Sequence, residues 1–259
     1  MNGARREEII ADLVARRRLW PLIDHCSCRL CAKPQRAEHH KGYALCWSCK
    51  CLRDNYGEAL GDLAPITYTT RNWELGAGIR AFKDQHGADP RHQLAERLGA
   101  VLSAFLEQQA SRFFLWADPL MVPAPSSAPA VLAALERAGQ EGWWTPHLAL
   151  DAAIANGDFP RQRDRESHER AMIDGKWQVD EDRVLGRHVV ILDDMSTTGG
   201  TLHSLAKALK ASGAEAVKGV VLARNVGVDD EAWVRALLDD AVDRGRAWTP
   251  HEAKMDIIP

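Results

Sequence analysis

Residues 188–223 hold the feature that most restricts how this chain can fold. Val189, Val190, Ile191 and Leu192 form an unbroken aliphatic run, the composition of a parallel strand buried on both faces. Two carboxylates, Asp193 and Asp194, stop the strand at 188–192, and a turn over 193–200 leads into a helical pattern over 201–211. Gly213 ends the helix, and a second strand pattern occupies 216–223. Strand, helix and strand at this length form a crossover. The fold class is therefore α/β, with a partly parallel sheet flanked by helices.

The turn has a chemistry of its own. Ligands of open α/β sheets sit beyond the carboxyl ends of the strands. Thr197, Thr198, Gly199, Gly200 and Thr201 open the helix, whose first-turn amides have no intrahelical acceptor. Glycines let a phosphate approach the backbone, threonine hydroxyls add donors, and the helix dipole favours an anion. Asp193 and Asp194 would repel a phosphate, but ionised carboxylates accept hydroxyl hydrogen bonds. A phosphate beside a vicinal diol describes a ribose 5-phosphate. The Walker signature is absent, because no Gly-Lys-Ser/Thr follows the glycines. A helix cap next to an ordinary turn is the bland alternative.

All six cysteines fall between Cys26 and Cys51. Cys28-x2-Cys31 and Cys46-x2-Cys49 have the spacing of a tetrahedral Zn(2+) site, and four thiolates leave no open position, so such a metal is structural. Metal binding would supply the folding energy that the polar 24–54 segment lacks. Cys26, Cys51, His39 and His40 are alternative ligands, and an iron–sulfur cluster is open to four thiolates. A secreted disulfide scaffold fits less well, since no export signal precedes the cysteines.

Around these units, helices are expected over 3–20, 74–85, 91–109 and 128–138, and strands over 66–70 and 118–125. Residues 142–160 follow no single pattern, and 161–170 is almost wholly polar. One more helix and a polar tail fit 229–259. The division is an N-terminal helix (1–23), a cysteine module (24–60), a main domain (61–225) and a C-terminal helix and tail (226–259). Residues 1–60 carry 11 Lys/Arg against 7 Asp/Glu within a chain of net charge −3, which is slight support for a polyanion partner. No apolar run is long enough to cross a bilayer, so a cytoplasmic location without membrane insertion is expected.

The Asp193-Asp194 strand and its Thr/Gly turn resemble the phosphoribosyl pyrophosphate (PRPP) motif of type I phosphoribosyltransferases. A cysteine knuckle module ahead of such a domain is similar to the ComF-type (competence) family. Within that likeness, Ile79-Arg-Ala-Phe-Lys83 resembles the family's Leu-Lys-Tyr-like helix end. Met121-Val-Pro-Ala-Pro125-Ser126 resembles its pyrophosphate-loop strand, and 161–170 its mobile basic loop. By this resemblance Asp193 and Asp194 hold the ribose hydroxyls and carry catalysis, while Thr197, Thr198, Gly199, Gly200 and Thr201 wrap the 5′-phosphate. Ser126, Lys83, Arg161 and Arg163 are further substrate-binding candidates, with Arg165 beside them. Lys83 fits a snorkelling helix residue as well, and the arginines interleave with Asp164, Glu166 and Glu169 as in surface pairs. The family's Arg-Gly-Phe-Asn-Gln-like stretch is replaced by 128–139, which changes the side chains beside the pyrophosphate.

The expected function is phosphoribosyl transfer from PRPP, with Mg(2+), to an acceptor that no motif names. The alternative is a non-catalytic PRPP- or nucleotide-binding protein acting through single-stranded DNA or DNA-uptake partners. Among nine tryptophans, Trp143-Trp144 offers either a partner surface or buried hood residues.

Overall fold

The computed structural model describes residues 3–16, 28, 31, 33–35, 45–57, 59–61, 63–70, 72–83, 89–113, 119–125, 144–156, 175–227, 229–246 and 248. Its centre is a four-stranded, all-parallel sheet of β1 (Leu63–Thr69), β2 (Leu120–Pro123), β5 (His188–Ser196) and β6 (Ala216–Asn225), in the order β1-β6-β5-β2. Pro65 and Pro123 both lie in the edge strands, where a missing backbone donor costs least. A second, antiparallel pair joins β3 (Ala153–Ala155) to β4 (Trp177–Val179). No sequence pattern foretold that pair, because three-residue strands are too short to show a period.

Seven helices are described: α1 (Gly3–Ala15), α2 (Trp47–Tyr56), α3 (Glu74–Lys83), α4 (Asp89–Phe113), α5 (Glu181–Val184), α6 (Gly200–Ala211) and α7 (Glu231–Asp243). The expected helices at 3–20, 74–85 and 91–109 are thus found with shifted ends. The helix expected over 128–138 lies outside the described residues. None of the described helices is long and apolar enough to cross a membrane.

Alternation along β5 divides the core in two. Val190 and Leu192 pack with Ile66, Tyr68, Phe105, Leu222 and Leu238 on the face covered by α1, α4 and α7. Val189 and Ile191 face the other way, among Leu202, Leu205, Val217, Val221 and the four cysteines Cys28, Cys31, Cys46 and Cys49. α1, α7 and Trp248 join the first layer. Ile9 and Leu13 of α1 and Val234 of α7 are buried in it, and the Trp248 indole donates to the Ile66 carbonyl at 2.8 Å. Trp144 is buried there too, so this half of the tryptophan pair belongs to the core and not to a surface.

β5 corrects one expectation. The strand does not stop at Leu192 but continues through both carboxylates to Ser196. Asp193, Met195 and Ser196 stand opposite Val221, Ala223 and Arg224 of β6, so the ladder outlasts the aliphatic run. The turn is correspondingly shorter.

α3 crosses the end of β1 at very close range. A Cβ on Gly76 would stand 2.1 Å from the Thr70 carbonyl oxygen, with no flexible side chain able to yield. Gly76→Ala is expected to lower stability by about 1–3 kcal/mol through forced displacement of α3. Denaturant titration with an unchanged midpoint would show that this approach is looser than described.

Candidate functional site

The Thr/Gly turn is built at the end of β5. Asp193 and Asp194 are both buried, and the Asp194 amide donates to Asp193 Oδ1 at 2.8 Å. Alternation sends Asp193 toward the α6 face and Asp194 toward the α4 face. Thr197 is exposed at the tip, where its hydroxyl accepts from the Asn225 amide at 3.2 Å. The Thr198 hydroxyl accepts from the Gly200 amide at 3.4 Å. Gly199 is the N-cap of α6 with φ 84°, a left-handed conformation in which an L side chain is strained. That conformation reverses the chain over its own helix and aims the amides of the first turn at the space beyond β5.

The turn is anchored from below by a residue that sequence reasoning missed. Arg224 of β6 is fully buried. Its Nη1 donates to the Ser196 carbonyl at 2.7 Å and also to the Thr197 carbonyl, while Nη2 lies 3.4 Å from Cys31 Sγ. His203 is buried one turn into α6. A Cβ added at Gly199 would meet its ring at 3.5 Å. Burial pushes its pKa down to about 4, so the ring is neutral at pH 7.

The four cysteines chosen by spacing do converge. Cys28, Cys31, Cys46 and Cys49 are buried, and their sulfurs all lie within 4.8 Å of one another. Four sulfurs at about 2.3 Å from a tetrahedral zinc are separated by about 3.8 Å, and Cys31 and Cys46 stand 3.8 Å apart. The donor set therefore fits a single ion such as zinc. Hydrogen bonding from Cys28, then Cys46 and Cys49, holds the Cys31 thiol well below its ordinary value, and the Arg224 charge adds to this. Cys51 is half-exposed in α2, apart from the buried four, and Cys26, His39 and His40 lie outside the described residues.

Of the other substrate-binding candidates, Lys83 is the last residue of α3. Ser126, Arg161, Arg163 and Arg165 lie outside the described residues.

Lys176, at the start of β4, is a second residue that the sequence did not single out. It is 6% exposed, and its Nζ sits 4.0 Å from the centre of the Trp177 ring without a hydrogen-bond partner among the described residues. Trp177 is itself fixed by its indole N–H donating to Ser204 of α6 at 2.9 Å. Only a lysine flanked by Gly175 and Trp177 marked the place, and that is no signal.

Comparison with known proteins bears on the same region. Residues 147–235, from the turn before β3 into α7, match the family described as "Phosphoribosyl transferase domain". The chain is 24% identical over 196 residues to competence protein ComFC of Bacillus subtilis, covering 72% of each. These two matches support a ComF-type, phosphoribosyltransferase-like protein. A solved phosphoribosyltransferase from Corynebacterium diphtheriae aligns at TM-score 0.29 and 18% identity, over 60% of this chain and 96% of that one.

Burial pushes the Lys176 pKa down to about 8, against the opposing pull of the Asp193 charge. Below about pH 8 folded and unfolded chains both hold the proton, and the folded chain bears the full cost of a buried cation. From about 8 toward the ordinary value of 10.5 the unfolded chain binds more protons, so this cost fades as pH rises. Lys176→Met is therefore expected to raise Tm at pH 7, with a gain that shrinks between pH 8 and 10.5. A gain independent of pH in melts across this range would mean that the lysine is not desolvated.

Proposed function

We propose that this ComF-type chain binds PRPP with Mg(2+) beyond the end of β5 and transfers its phosphoribosyl group to an acceptor. The observation that supports this most is the pairing of two buried carboxylates with a glycine-capped helix start, all within residues 193–201. The match to a phosphoribosyl transferase domain over 147–235 supports the same reading. Asp193 and Asp194, leaving β5 on opposite sides, would reach the ribose diol from two directions. Thr197, Thr198 and the amides of Gly200 and Thr201 would surround the 5′-phosphate.

In the reaction the acceptor's lone pair forms a bond to ribose C1 while the C1–O bond to pyrophosphate breaks. The bonding electrons leave on pyrophosphate and the acceptor loses its proton to solvent or a base. Mg(2+) supplies charge neutralisation on the phosphate oxygens when bound. Catalysis by the chain then consists of orientation, exclusion of water and stabilisation of charge at the leaving group. Lys176, a desolvated cation on the Asp193 side of the sheet, is suited to pyrophosphate as well as to that carboxylate. Lys83 at the end of α3, with Ser126, Arg161 and Arg163, is proposed to contact the same group.

A second reading, binding of single-stranded nucleic acid by the cysteine module, is favoured by Trp47. It is 76% exposed at the start of α2, with Lys50 Nζ 6.0 Å over its ring, an aromatic platform with a cation beside it. Titration with an oligothymidylate should quench tryptophan fluorescence at low salt and lose affinity as salt rises. Binding that ignores salt, or none at low salt, would remove this reading.

For the metal we propose one structural zinc on Cys28, Cys31, Cys46 and Cys49. Elemental analysis of protein purified without added metal is expected to give about one zinc per chain. Cys28→Ser should lower that content and loosen residues 28–57. Iron in place of zinc, or six freely titrating thiols in the native protein, would sink the assignment.

PRPP binding is tested at Asp194. A charged acceptor of a hydroxyl hydrogen bond is worth about 2 kcal/mol, so Asp194→Asn should weaken PRPP–Mg(2+) on the order of 30-fold in calorimetric titration. As a helix cap or scaffold residue, Asn would serve nearly as well as Asp. Equal affinities in the two proteins, or no wild-type binding at millimolar PRPP, would mean that the turn does not hold this ligand.

A further inference from the structure

The phosphate turn and the four-cysteine centre are joined by one side chain, Arg224. They are far apart in sequence, yet its guanidinium touches both: Ser196 and Thr197 carbonyls on one side and Cys31 Sγ on the other. The geometry points to Arg224 as a positioning residue through which metal loading at the cysteines sets how well the turn presents its amides to a phosphate. This rests on the PRPP reading of the turn for its ligand, but not for the coupling itself.

The argument begins with the peptide planes. In a trans peptide the carbonyl and the following N–H point in opposite directions. When Arg224 pulls the carbonyls of Ser196 and Thr197 toward the sheet, the N–H groups of Thr197 and Thr198 are turned away from it. That direction is the ligand side of the turn. A guanidinium is suited to this because its planar fork reaches several acceptors at once, whereas an ammonium presents a single point. With Arg224 displaced, both planes are free to rotate and the donors lose their common aim.

Charge makes the link depend on the metal. Arg224 is fully buried, and a buried guanidinium is tolerated only where anionic partners offset its desolvation. Its neighbours in the turn are neutral carbonyls. The anion is on the other side: four thiolates around a divalent ion carry a net charge of about −2, close to the Arg224 head group. Without the ion no bond holds the four sulfurs together, so Cys31 Sγ is no longer fixed 3.4 Å from Arg224 Nη2. Loss of the metal thus lets the anionic side of the contact move off the guanidinium and loosens the hold of Arg224 on the turn. Outer partners of metal ligands commonly act in this way. The neutral ring of His203, against Gly199, packs the start of α6 above the same buried centre.

The test uses the full chain with zinc bound and after chelation, as wild type, Arg224→Lys and Arg224→Met. The first readout is backbone hydrogen exchange over residues 196–201, which needs no ligand. Zinc-loaded Arg224→Lys should retain its zinc yet exchange at Thr197 and Thr198 at least about tenfold faster than wild type. Stripping zinc from wild type should accelerate the same amides more than those of β1 and β2. Stripping either variant should add little, as expected for two changes acting through one contact. The second readout is PRPP–Mg(2+) affinity, expected to fall about tenfold in zinc-loaded Arg224→Lys and in stripped wild type. Unchanged exchange at 196–201 in zinc-loaded Arg224→Lys would overturn the coupling. So would a loss of protection on stripping that is uniform across the sheet, or an undiminished response to stripping in Arg224→Met. A wild type that fails to bind PRPP overturns the ligand assignment alone, since the exchange comparison still decides whether the turn and the centre are linked. Should Arg224→Lys not fold, the stripped wild type and Arg224→Met carry the decision by the same criteria.

Discussion

β5 is the element on which the rest of the molecule depends. It lies between β6 and β2 and is buried on both faces, so each core layer is built against one set of its side chains. The aliphatic residues secure burial, worth about 1.5–3 kcal/mol for each fully buried side chain. The same strand then carries Asp193 and Asp194 into the interior, because its pairing with β6 continues past Leu192. The site is thus an extension of the core and not an addition on its surface. Its position cannot shift without breaking the sheet's longest ladder.

The cysteine centre occupies an unusual place for a small metal module. It does not stand apart on a linker but packs into the layer formed by α6, β5 and β6, among Leu202, Leu205 and Val221. That segment has few apolar residues of its own, so its stability depends on the surface it shares with the main sheet and on the ion that its four sulfurs could hold. The charge of such a centre is large and local, and Arg224 is the group that meets it. In this respect the four cysteines and the turn before α6 are two sides of one buried layer.

Much of this was legible from residue order because the interactions are local. The turn with Gly199 in a left-handed conformation, the helix it opens and the paired Cys-x2-Cys spacings each reside within a short stretch of chain. Strand ends were read less well. Asp193 and Asp194 look like breakers by composition, yet pairing of Asp193 with Val221 and of Met195 with Ala223 carries the ladder past both, a tertiary override of local propensity. The short β3–β4 pair had no period to display, and Trp144, one of two adjacent candidates for a surface patch, is enclosed by the first core layer.

By itself the sequence determined the α/β class, the place of the Thr/Gly turn before α6 and the identity of the four clustered thiols, since each is encoded by neighbours along the chain. Tertiary structure alone decided what lies around them. Arg224 is separated from Cys31 by 193 residues and from Ser196 by 28, and Lys176 feels the Asp193 charge only because β4 packs against the Val189 and Ile191 face of β5. A lone arginine in a strand and a lone lysine before a tryptophan carry no signature. Their roles arise from burial, which withdraws water and leaves a cation dependent on the few groups it can touch.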